Sequence, residues 1–364
     1  MGLSKFTDYY KKFEKYISPI GLIYGFIFTS LTLTRVDMFI ENFWIVLHLL
    51  VVCSGILAIT FYENRAEKKH VPEAERVKFH FYLTLVIQFA FGGLFSTFFV
   101  FYMRSSSLVD SWLFVAMLLG LVIGNELWKK HYQRLAFQVS ILFISIYLFL
   151  IFLLPVLAHR LGADLFLASG IISLLITFFF TYLIRKFAHE KFTKSHNYIK
   201  ISIASIFVLM NLLYFADIIP PIPLALKEAG VFHNVVRTNN GYLAQAEPSN
   251  WSAYFTLYPV FHAVPGDTVY VFSSIFSPVA FEAQIIHQWQ YYDEAKKWWV
   301  DSNRVTLPIV GGRTEGYRTY SLKQGATVGK WRVKVITASG QTLGQVNFKV
   351  ENSTSTPALI EKVL

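Results

Sequence analysis

Aromatic and basic side chains recur in the C-terminal part of the chain in a pattern that could bind a sugar or an anionic group. Flat aromatic rings offer stacking surfaces, and arginine forms paired hydrogen bonds with carboxylate or phosphate. The residues that could do this are His287, Trp289, Arg313, Tyr317, Arg318, Tyr320, Trp331 and Arg332. The tryptophans could instead fill a β-sandwich core, and Arg318 could pair with Glu315. Both interpretations stay open at this point.

A second set of polar side chains lies within the strongly apolar N-terminal part. These residues are Gln88, Arg104, Asn125 and Glu126. Charged groups inside a membrane span are costly and often functional. Glu126 could act in catalysis or proton relay, or it could only pair with the nearby Lys129 and Lys130 at the membrane surface. Gln88, like Gln138, could form hydrogen bonds that hold helices together.

Sequence signatures of catalysis are missing. The chain contains no His-Glu-x-x-His, no Gly-x-Ser-x-Gly and no phosphate-binding glycine-rich loop. His48 has no second ligand at metal spacing, and the single Cys53 cannot form an intrachain disulfide. We therefore predict no cofactor and no metal site, and we favour a non-catalytic protein over an enzyme.

The composition indicates that these residues belong to a membrane protein. Of the 364 residues, 54% are hydrophobic and only 15% are charged, whereas soluble domains carry about 25% charged residues. A helical span needs roughly 20 apolar residues. About seven stretches qualify: 17–34, 43–62, 79–103, 111–128, 135–157, 165–184 and 201–219.

The loops between these stretches differ in charge. Lysine and arginine concentrate in 5–15, 65–78, 129–134 and 185–200, whereas the alternate loops carry only Arg35, Arg104 and Arg160. Cytoplasmic loops accumulate basic residues. This pattern predicts a cytoplasmic N-terminus and a C-terminal part on the outer side of the membrane, which is the periplasm if the cell is a Gram-negative bacterium. It also accounts for most of the net charge of +10, so we do not predict binding to nucleic acid.

The chain after residue 219 is predicted to form a β domain. Alternating strands are predicted at 269–276, 282–292, 297–307, 317–322, 330–337 and 345–350, with a turn at Ser339-Gly340. The predicted fold is a helical membrane bundle at 1–219 followed by an immunoglobulin-like β-sandwich at 268–351. Residues 220–267 are predicted to be a connector that lies along the membrane or begins the β fold, and 352–364 a flexible tail.

Several motifs resemble a bacterial family of proteins of unknown function, number 2914. In the β domain these are His287-x-Trp289, the run 311–321, Gly329-Lys-Trp-Arg-Val and Ser339-Gly-Gln-Thr-Leu-Gly344. The apolar part resembles multi-span members of the family at 88–96, 106–112, 124–126 and 134–138. The resemblance implies a bacterial envelope protein and implies no activity.

Three functions are compatible with these features. In the first, the helices anchor a periplasmic domain that binds an envelope glycan, a lipid head group or a protein partner, alone or as part of an oligomer or larger complex. In the second, the helices form a transporter, a channel or a lipid-modifying enzyme. In the third, the outer domain senses a signal that the basic inner loops pass to a partner. We favour the first.

Overall fold

The computed structural model describes residues 20–31, 39–105, 112–114, 116–117, 120, 135–220, 224–238, 241–248, 256–264, 266–277, 283–309, 313–355 and 357–364. The chain divides into two compact units. The first is helical and ends at Ile218, and the second consists mainly of Ile219–Leu364.

The helical unit contains long apolar helices. Their bounds are α1 Ile20–Leu31, α2 Phe39–Lys69, α3 Glu73–Ser105, α4 Leu135–Ala158, α5 Ala163–Phe187 and α6 His189–Phe215. Within the described residues, five helices (α2 to α6) are long and apolar enough to cross a membrane. This confirms long apolar helices at five of the predicted spans, although α6 begins earlier than the predicted 201. Most of the predicted span at 111–128 lies outside the described residues.

Glycines allow the first helices to approach closely. A Cβ atom on Gly92 of α3 would overlap the backbone oxygen of Leu22 in α1, and one on Gly93 would lie 2.6 Å from the ring of His48 in α2. Neither position tolerates a larger residue without movement of the backbone or ring. Small residues at helix interfaces serve this purpose in membrane bundles.

The second unit is rich in β-strands. Their bounds are β1 Ala225–Phe232, β2 Asn234–Thr238, β3 Gly241–Ala246, β4 Val260–Ala263, β5 Thr268–Ser277, β6 Ala283–Asp293, β7 Trp298–Ile309, β8 Arg313–Gln324, β9 Gly329–Thr337, β10 Thr342–Asn352 and β11 Ile360–Val363. In the described residues they form three sheets, with strand orders β1-β5-β8, β4-β10-β9-β6-β7 and β11-β3-β2.

The first two sheets share a hydrophobic core. Val269 and Val271 of β5 pack with Trp289 of β6, Trp331 of β9 and Phe348 of β10. Every strand pair is antiparallel except β4 with β10, which is parallel. The core therefore lies between the three-stranded and the five-stranded sheet.

Strand β6 shows why this sheet has two different faces. Ile285, His287 and Trp289 are fully buried, whereas Gln284 is exposed and Gln288 is partly exposed. Successive residues of a strand point to opposite sides. The predicted alternation in this strand is confirmed. We call the side toward the three-stranded sheet the inner face of the five-stranded sheet, and the opposite side its outer face.

The structure differs from the predicted boundaries in two segments. The predicted connector at 220–267 contains β1 to β4, and Phe261 is buried in the core of the β unit. The predicted flexible tail contains β11, which pairs with β3. These strands are short or weakly alternating, so local pattern reveals them poorly. The partners of β1, β4 and β11 are also distant in sequence, whereas β2 pairs with the adjacent β3. Trp251, Tyr254 and Phe255 lie outside the described residues.

Candidate binding face of the β unit

A buried polar network lies on the inner face around His287. Nε2 of His287 is 2.8 Å from the hydroxyl of Ser273 on β5, and Nδ1 is 2.8 Å from the hydroxyl of Ser321 on β8. Trp289 donates its indole N–H to the same Ser321 hydroxyl over 3.0 Å. The network therefore joins the two sheets across their shared core.

One arrangement of protons satisfies this network. In this arrangement Ser321 accepts a hydrogen bond from Trp289, which can only donate, and its hydroxyl donates to Nδ1 of His287. Nε2 of His287 then carries the ring proton and donates it to Ser273. Burial lowers the pKa of His287 from 6.5 to about 4, because the protonated ring would lose its hydration. A neutral, fully buried histidine with both nitrogens occupied is a structural bridge.

The two predicted platform tryptophans are also buried. Trp289 has no exposed surface and Trp331 is 2% exposed. Their rings meet edge to face with centroids 6.5 Å apart, and the indole of Trp331 donates to the backbone oxygen of Thr327 over 2.7 Å. His287, Trp289 and Trp331 therefore do not contribute to an exposed platform. The alternative interpretation, in which the tryptophans fill the core, describes the structure.

Four further predicted residues lie on β8, away from the outer face. Tyr317 packs against an apolar cluster that includes Ile275, and Tyr320 packs near Tyr242 with ring centroids 6.1 Å apart. The hydroxyl of Tyr242 donates to the backbone oxygen of Arg318 over 3.0 Å. Arg313 is the first residue of β8, and its side chain is outside the described part. The predicted constellation is thus divided among separate surfaces.

Arg332 is the predicted residue that lies on the outer face. Its guanidinium stands over the ring of Trp299 on β7, 4.3 Å from the centroid. Its Nε donates to Oε1 of Gln290 on β6 over 2.6 Å. Gln290 is paired with Arg332 on one side and with Asp301 on the other. A row of polar side chains therefore crosses three neighbouring strands.

Aromatic rings and a lysine extend this row. Tyr258 and Trp299 are nearly parallel, with centroids 6.3 Å apart, and Tyr292 meets Trp299 edge on at 5.3 Å. Lys330 of β9 lies 5.7 Å from the ring of Tyr258 and 5.5 Å from that of Tyr292. Cations and rings thus alternate across the surface, which holds both in defined positions.

Asp301 provides the acidic end of the row. It accepts hydrogen bonds from Gln290 over 2.5 Å, from Gln288 over 2.8 Å and from Arg304 over 2.9 Å. The bond from Gln290, together with the other donors, lowers the pKa of Asp301 despite some desolvation. The carboxylate is therefore charged at neutral pH and fixes the two glutamine amides.

Basic residues outnumber acidic ones on this face. Lys330, Arg332 and Lys334 follow one another at alternate positions of β9, and Lys349 lies beside Lys330 on β10. Such a surface, with aromatic rings, fixed amides and an excess of positive charge, has the chemistry to bind an anionic group carried on a sugar-like scaffold. The residues that line the outer face are Tyr258, Gln288, Gln290, Tyr292, Trp299, Asp301, Lys330 and Arg332.

A signal for this face is present in the sequence, although the prediction did not use it. The predicted β6 alternation already placed Gln288 and Gln290 opposite Trp289, and Tyr292 continues that side. The adjacent pair Trp298 and Trp299 on a strand also requires one ring on each face. Extending the alternation to β7 would have placed one of these two rings on the same face as the glutamines, without showing which one.

A histidine–glutamate cluster elsewhere in the β unit was also missed. Glu247 accepts from His233 over 3.0 Å, and from the ring and the backbone N–H of His262, both over 2.7 Å. Burial alone would raise the pKa of Glu247, but the hydrogen bonds from the two histidines outweigh it, so this pKa lies below its usual value. Among the described residues, no group of three His, Cys, Asp or Glu side chains could hold a metal ion.

The predicted polar residues of the helices have different positions. Gln88 of α3 is 1% exposed and lies against Gly21 of α1. Arg104 is in the last turn of α3, where its side chain is not described. Asn125 and Glu126 lie outside the described residues.

The helical unit also contains a polar cavity of about 990 Å³. Glu63 of α2 and Lys191 of α6 line it and form an ion pair, and His80 lies 2.8 Å from the same carboxylate. Gln138 of α4 and several serines also line it, beside apolar residues such as Ile59 and Phe137. The sequence prediction named Gln138 only as a helix-packing residue and missed Glu63.

Comparison with known proteins finds a family match for one part of the chain. Residues 282–350 match a family described as "Protein of unknown function (DUF2914)", which confirms the resemblance noted from the motifs of this region. No curated protein matches the chain.

Among solved structures, the chain matches Pseudomonas fluorescens alkylpurine DNA glycosylase AlkC bound to DNA containing an abasic site analog. The identity is 10%, the match covers 87% of this chain and all of the other, and the TM-score is 0.23. A likeness at that score carries no argument about fold or function.

Proposed function

We propose that this chain is a multi-span protein of the bacterial inner membrane whose C-terminal β unit binds an acidic envelope glycan in the periplasm without catalysis. The N-terminus would lie in the cytoplasm. The alternation of basic loops supports this orientation, and the long apolar helices α2 to α6 support the membrane location.

The β unit has features that support an immunoglobulin-like sandwich. Two mainly antiparallel sheets enclose one core, and Trp289 is buried at its centre. Such folds commonly place a buried tryptophan between their sheets. We therefore treat the β unit as a binding module whose strands present side chains on a rigid surface.

The observation that carries the proposal is the alternation of cations and rings on the outer face. Arg332 stands over Trp299, and Lys330 lies against Tyr258 and Tyr292. Fixed cations of this kind can meet carboxylates, while neighbouring rings and amides can contact sugar rings and hydroxyls. Acidic glycans combine both features.

The test is the affinity of the full-length protein, in detergent, for soluble peptidoglycan fragments that carry carboxylates. Replacing Trp299 by alanine removes the ring that supports Arg332. The Arg332–Trp299 contact exists before binding, so the affinity gains only from its strengthening on desolvation and from direct contact of the ring with the ligand. Together these contribute about 1–2 kcal/mol, so we expect the dissociation constant to rise about tenfold. Isothermal titration calorimetry measures the change directly.

Trp298→Ala is the matched control, because Trp298 is the neighbouring residue, is 72% exposed and points to the opposite side of β7. It should bind like the wild type. Neutral chitin oligosaccharides should bind more weakly than the acidic fragments. Equal losses in the two tryptophan variants, or no binding of acidic fragments by the wild type, would overturn the proposal.

A second candidate is transport, ion conduction or lipid chemistry in the helical unit. The polar cavity with the Glu63–Lys191 ion pair favours it, because ionisable residues within membrane helices often mark a substrate pathway. Glu63→Gln should then abolish a measurable flux or lipid modification in reconstituted vesicles. An unchanged phenotype of this variant in cells would count against the candidate.

A further inference from the structure

A groove of about 510 Å³ runs between α5 and α6, separate from the polar cavity and from the outer face. Most of its lining is apolar and includes Leu174, Phe178, Ile203 and Phe207. Three basic residues line the same groove: Arg185 at the end of α5, and His196 and Lys200 in the first half of α6. The groove is therefore apolar over most of its length and cationic toward one end.

The packing of the two helices fixes the level of each residue. Ala188 alone separates α5 from α6, and a Cβ atom on Gly170 would lie 2.8 Å from the ring of Phe207. Because the two helices run in opposite directions, each step toward the end of α5 corresponds to one step back along α6. Counting from the contact of Gly170 with Phe207 in this way places His196 opposite Thr181. From Leu174 to Arg185 the groove follows about 16 Å of helix at 1.5 Å per residue. This is about half the hydrocarbon thickness of a bilayer, which is roughly 30 Å, and so corresponds to one lipid leaflet.

The cations converge at one level of the groove. A helical Cα–Cβ bond tilts toward the N-terminus of its helix. The side chain of Arg185 therefore leans back along α5, and that of Lys200 leans toward the start of α6, so both approach the level of His196. Among the described residues, neither Arg185 nor Lys200 forms an ion pair with a carboxylate. Positive charge at this level has no acidic partner in the described part of the chain.

A buried hydroxyl lies deeper in the same groove. Thr177 is 1% exposed, and its Oγ1 has no hydrogen-bond partner among the described residues. It lies about one helical turn beyond Thr181 on the apolar side. A buried hydroxyl without a hydrogen-bond partner lowers the stability of the folded protein. An ester carbonyl of a lipid at this depth would accept a hydrogen bond from it.

We propose that the α5–α6 groove is a binding site for one anionic phospholipid. The phosphate lies among Arg185, His196 and Lys200, an ester carbonyl meets Thr177, and an acyl chain follows Phe178 and Phe207. Basic pockets between membrane helices bind acidic head groups in this way. Because this site lies in the helical unit, it does not depend on glycan binding by the β unit.

The experiment is native mass spectrometry of the full-length protein in detergent, titrated with dioleoyl phosphatidylglycerol or dioleoyl phosphatidylcholine. The wild type should retain phosphatidylglycerol preferentially. The double substitution Arg185→Gln with Lys200→Gln should weaken phosphatidylglycerol binding about thirtyfold, since each cation near a lipid head group contributes about fivefold. Inorganic phosphate in large excess should not displace the lipid.

Lys186→Gln with Lys194→Gln is the matched control, because both lysines are exposed at the same helix ends and neither lines the groove. This variant should bind the lipid within about twofold of the wild type. An equal loss in the two double variants would show general surface attraction and overturn the proposal, as would no loss in the groove variant.

A third variant tests the apolar half without changing charge. Ala204 lines the groove and is exposed, so Ala204→Phe can fill the groove without entering a packed interior. We expect at least about tenfold weaker phosphatidylglycerol binding. Undiminished binding in this variant would overturn the proposal even if the double charge variant did not fold.

Discussion

The inner and outer faces of the five-stranded sheet are built from the same strands but use polar residues differently. On the inner face, His287 and Trp289 form a network with serines of the opposing sheet and are fully buried. On the outer face, Gln290 and Arg332 form hydrogen bonds within their own sheet and stay next to solvent-accessible rings. Neighbouring residues of one strand thus have different roles: those on the inner face stabilise the fold, and those on the outer face can contribute to a binding surface.

Residue type alone therefore does not locate a binding surface. An aromatic-rich motif such as His287-x-Trp289 contains the chemistry of a ligand site, yet here it joins two sheets. The neighbouring Gln288 and Gln290 are less conspicuous in the sequence and lie on the outer side, where Gln288 is partly exposed and Gln290 is 8% exposed beneath the side chains around it. Substitutions on the inner face should therefore change stability, whereas substitutions on the outer face should change binding.

The largest expected effect is the loss of the central core side chain. Trp289→Ala removes a fully buried ring that packs against Trp331 and Phe348, and such truncations cost about 3–5 kcal/mol of unfolding free energy. Hydrogen exchange of the β6 backbone amides in the detergent-solubilised protein measures this loss. Trp299→Ala is the control and should cost about 1 kcal/mol or less. A similar loss in both variants would remove the distinction between the faces.

The next effect is a pH dependence that arises on the inner face. The pKa of His287 is lowered from 6.5 to about 4 by burial. Between these values the unfolded state binds a proton that the folded state does not, so stability falls as the pH falls through this window. The loss approaches about 3 kcal/mol near pH 4. Exchange of the β6 amides at pH 7 and pH 4.5 measures it.

His287→Gln separates this effect from the titration of carboxylates. The variant cannot be protonated at this position, so its stability should be lower at pH 7 but should fall less steeply toward pH 4.5. A wild-type slope that persists unchanged in the variant would mean that His287 is not the group responsible.

Much of the fold was predictable because it depends on local pattern. The long apolar helices and the strands β5 to β10 follow from span length and from period-two alternation, and these predictions are confirmed. Strands β1 to β4 and β11 were not predicted. Strand β1 is held by β5, β4 by β10 and β11 by β3, all far away in sequence, and no local signal records such pairing. Strand β2 pairs with the adjacent β3, and the Asn-Gly pair at the start of β3 is a hairpin signal that the prediction did not use.

The candidate site was predictable only in part, for a related reason. Arg332 was named from its motif, but its neighbour Trp299 comes from another strand and Tyr258 from the segment before β4. A β-bulge between Trp289 and Gln290 also shifts the register with β7. Which side chains meet on the outer face is therefore decided by pairing and by this irregularity, neither of which is visible in one strand.

A smaller effect is expected at Glu247, outside both faces. Glu247→Gln removes the charged group to which His233 and His262 are hydrogen-bonded. At pH 6 it should lower the free energy of local opening around His262 by about 1–2 kcal/mol. The pKa of Glu247 is lowered in the folded state, so its contribution is present above the ordinary value of 4.5 and is lost as the pH falls further. Exchange of the His262 amide, which donates to this carboxylate, measures the effect. Glu228→Gln, at an exposed pair with Lys362, should change it little.

The smallest stability effect is expected on the outer face itself. Asp301→Asn keeps an acceptor for Gln290 and removes an exposed charge, so we expect the unfolding free energy to change by about 0.5 kcal/mol or less. Binding of an acidic glycan should tighten a few-fold, because one repelling charge is gone. Calorimetry with peptidoglycan fragments measures the affinity. Weaker binding in this variant would place the ligand on the carboxylate instead of on the cations.

Side-chain footprinting with hydroxyl radicals gives the sharpest test of the outer face. The full-length protein in lipid nanodiscs would be compared with and without soluble peptidoglycan fragments, and the modification of each aromatic residue would be quantified. We expect the fragments to protect Tyr258, Tyr292 and Trp299, to leave Trp298 as reactive as before, and to leave buried Trp289 unmodified throughout. Protection of Trp298 without Trp299, or no change at any of these rings, would contradict the assignment of ligand binding to the outer face.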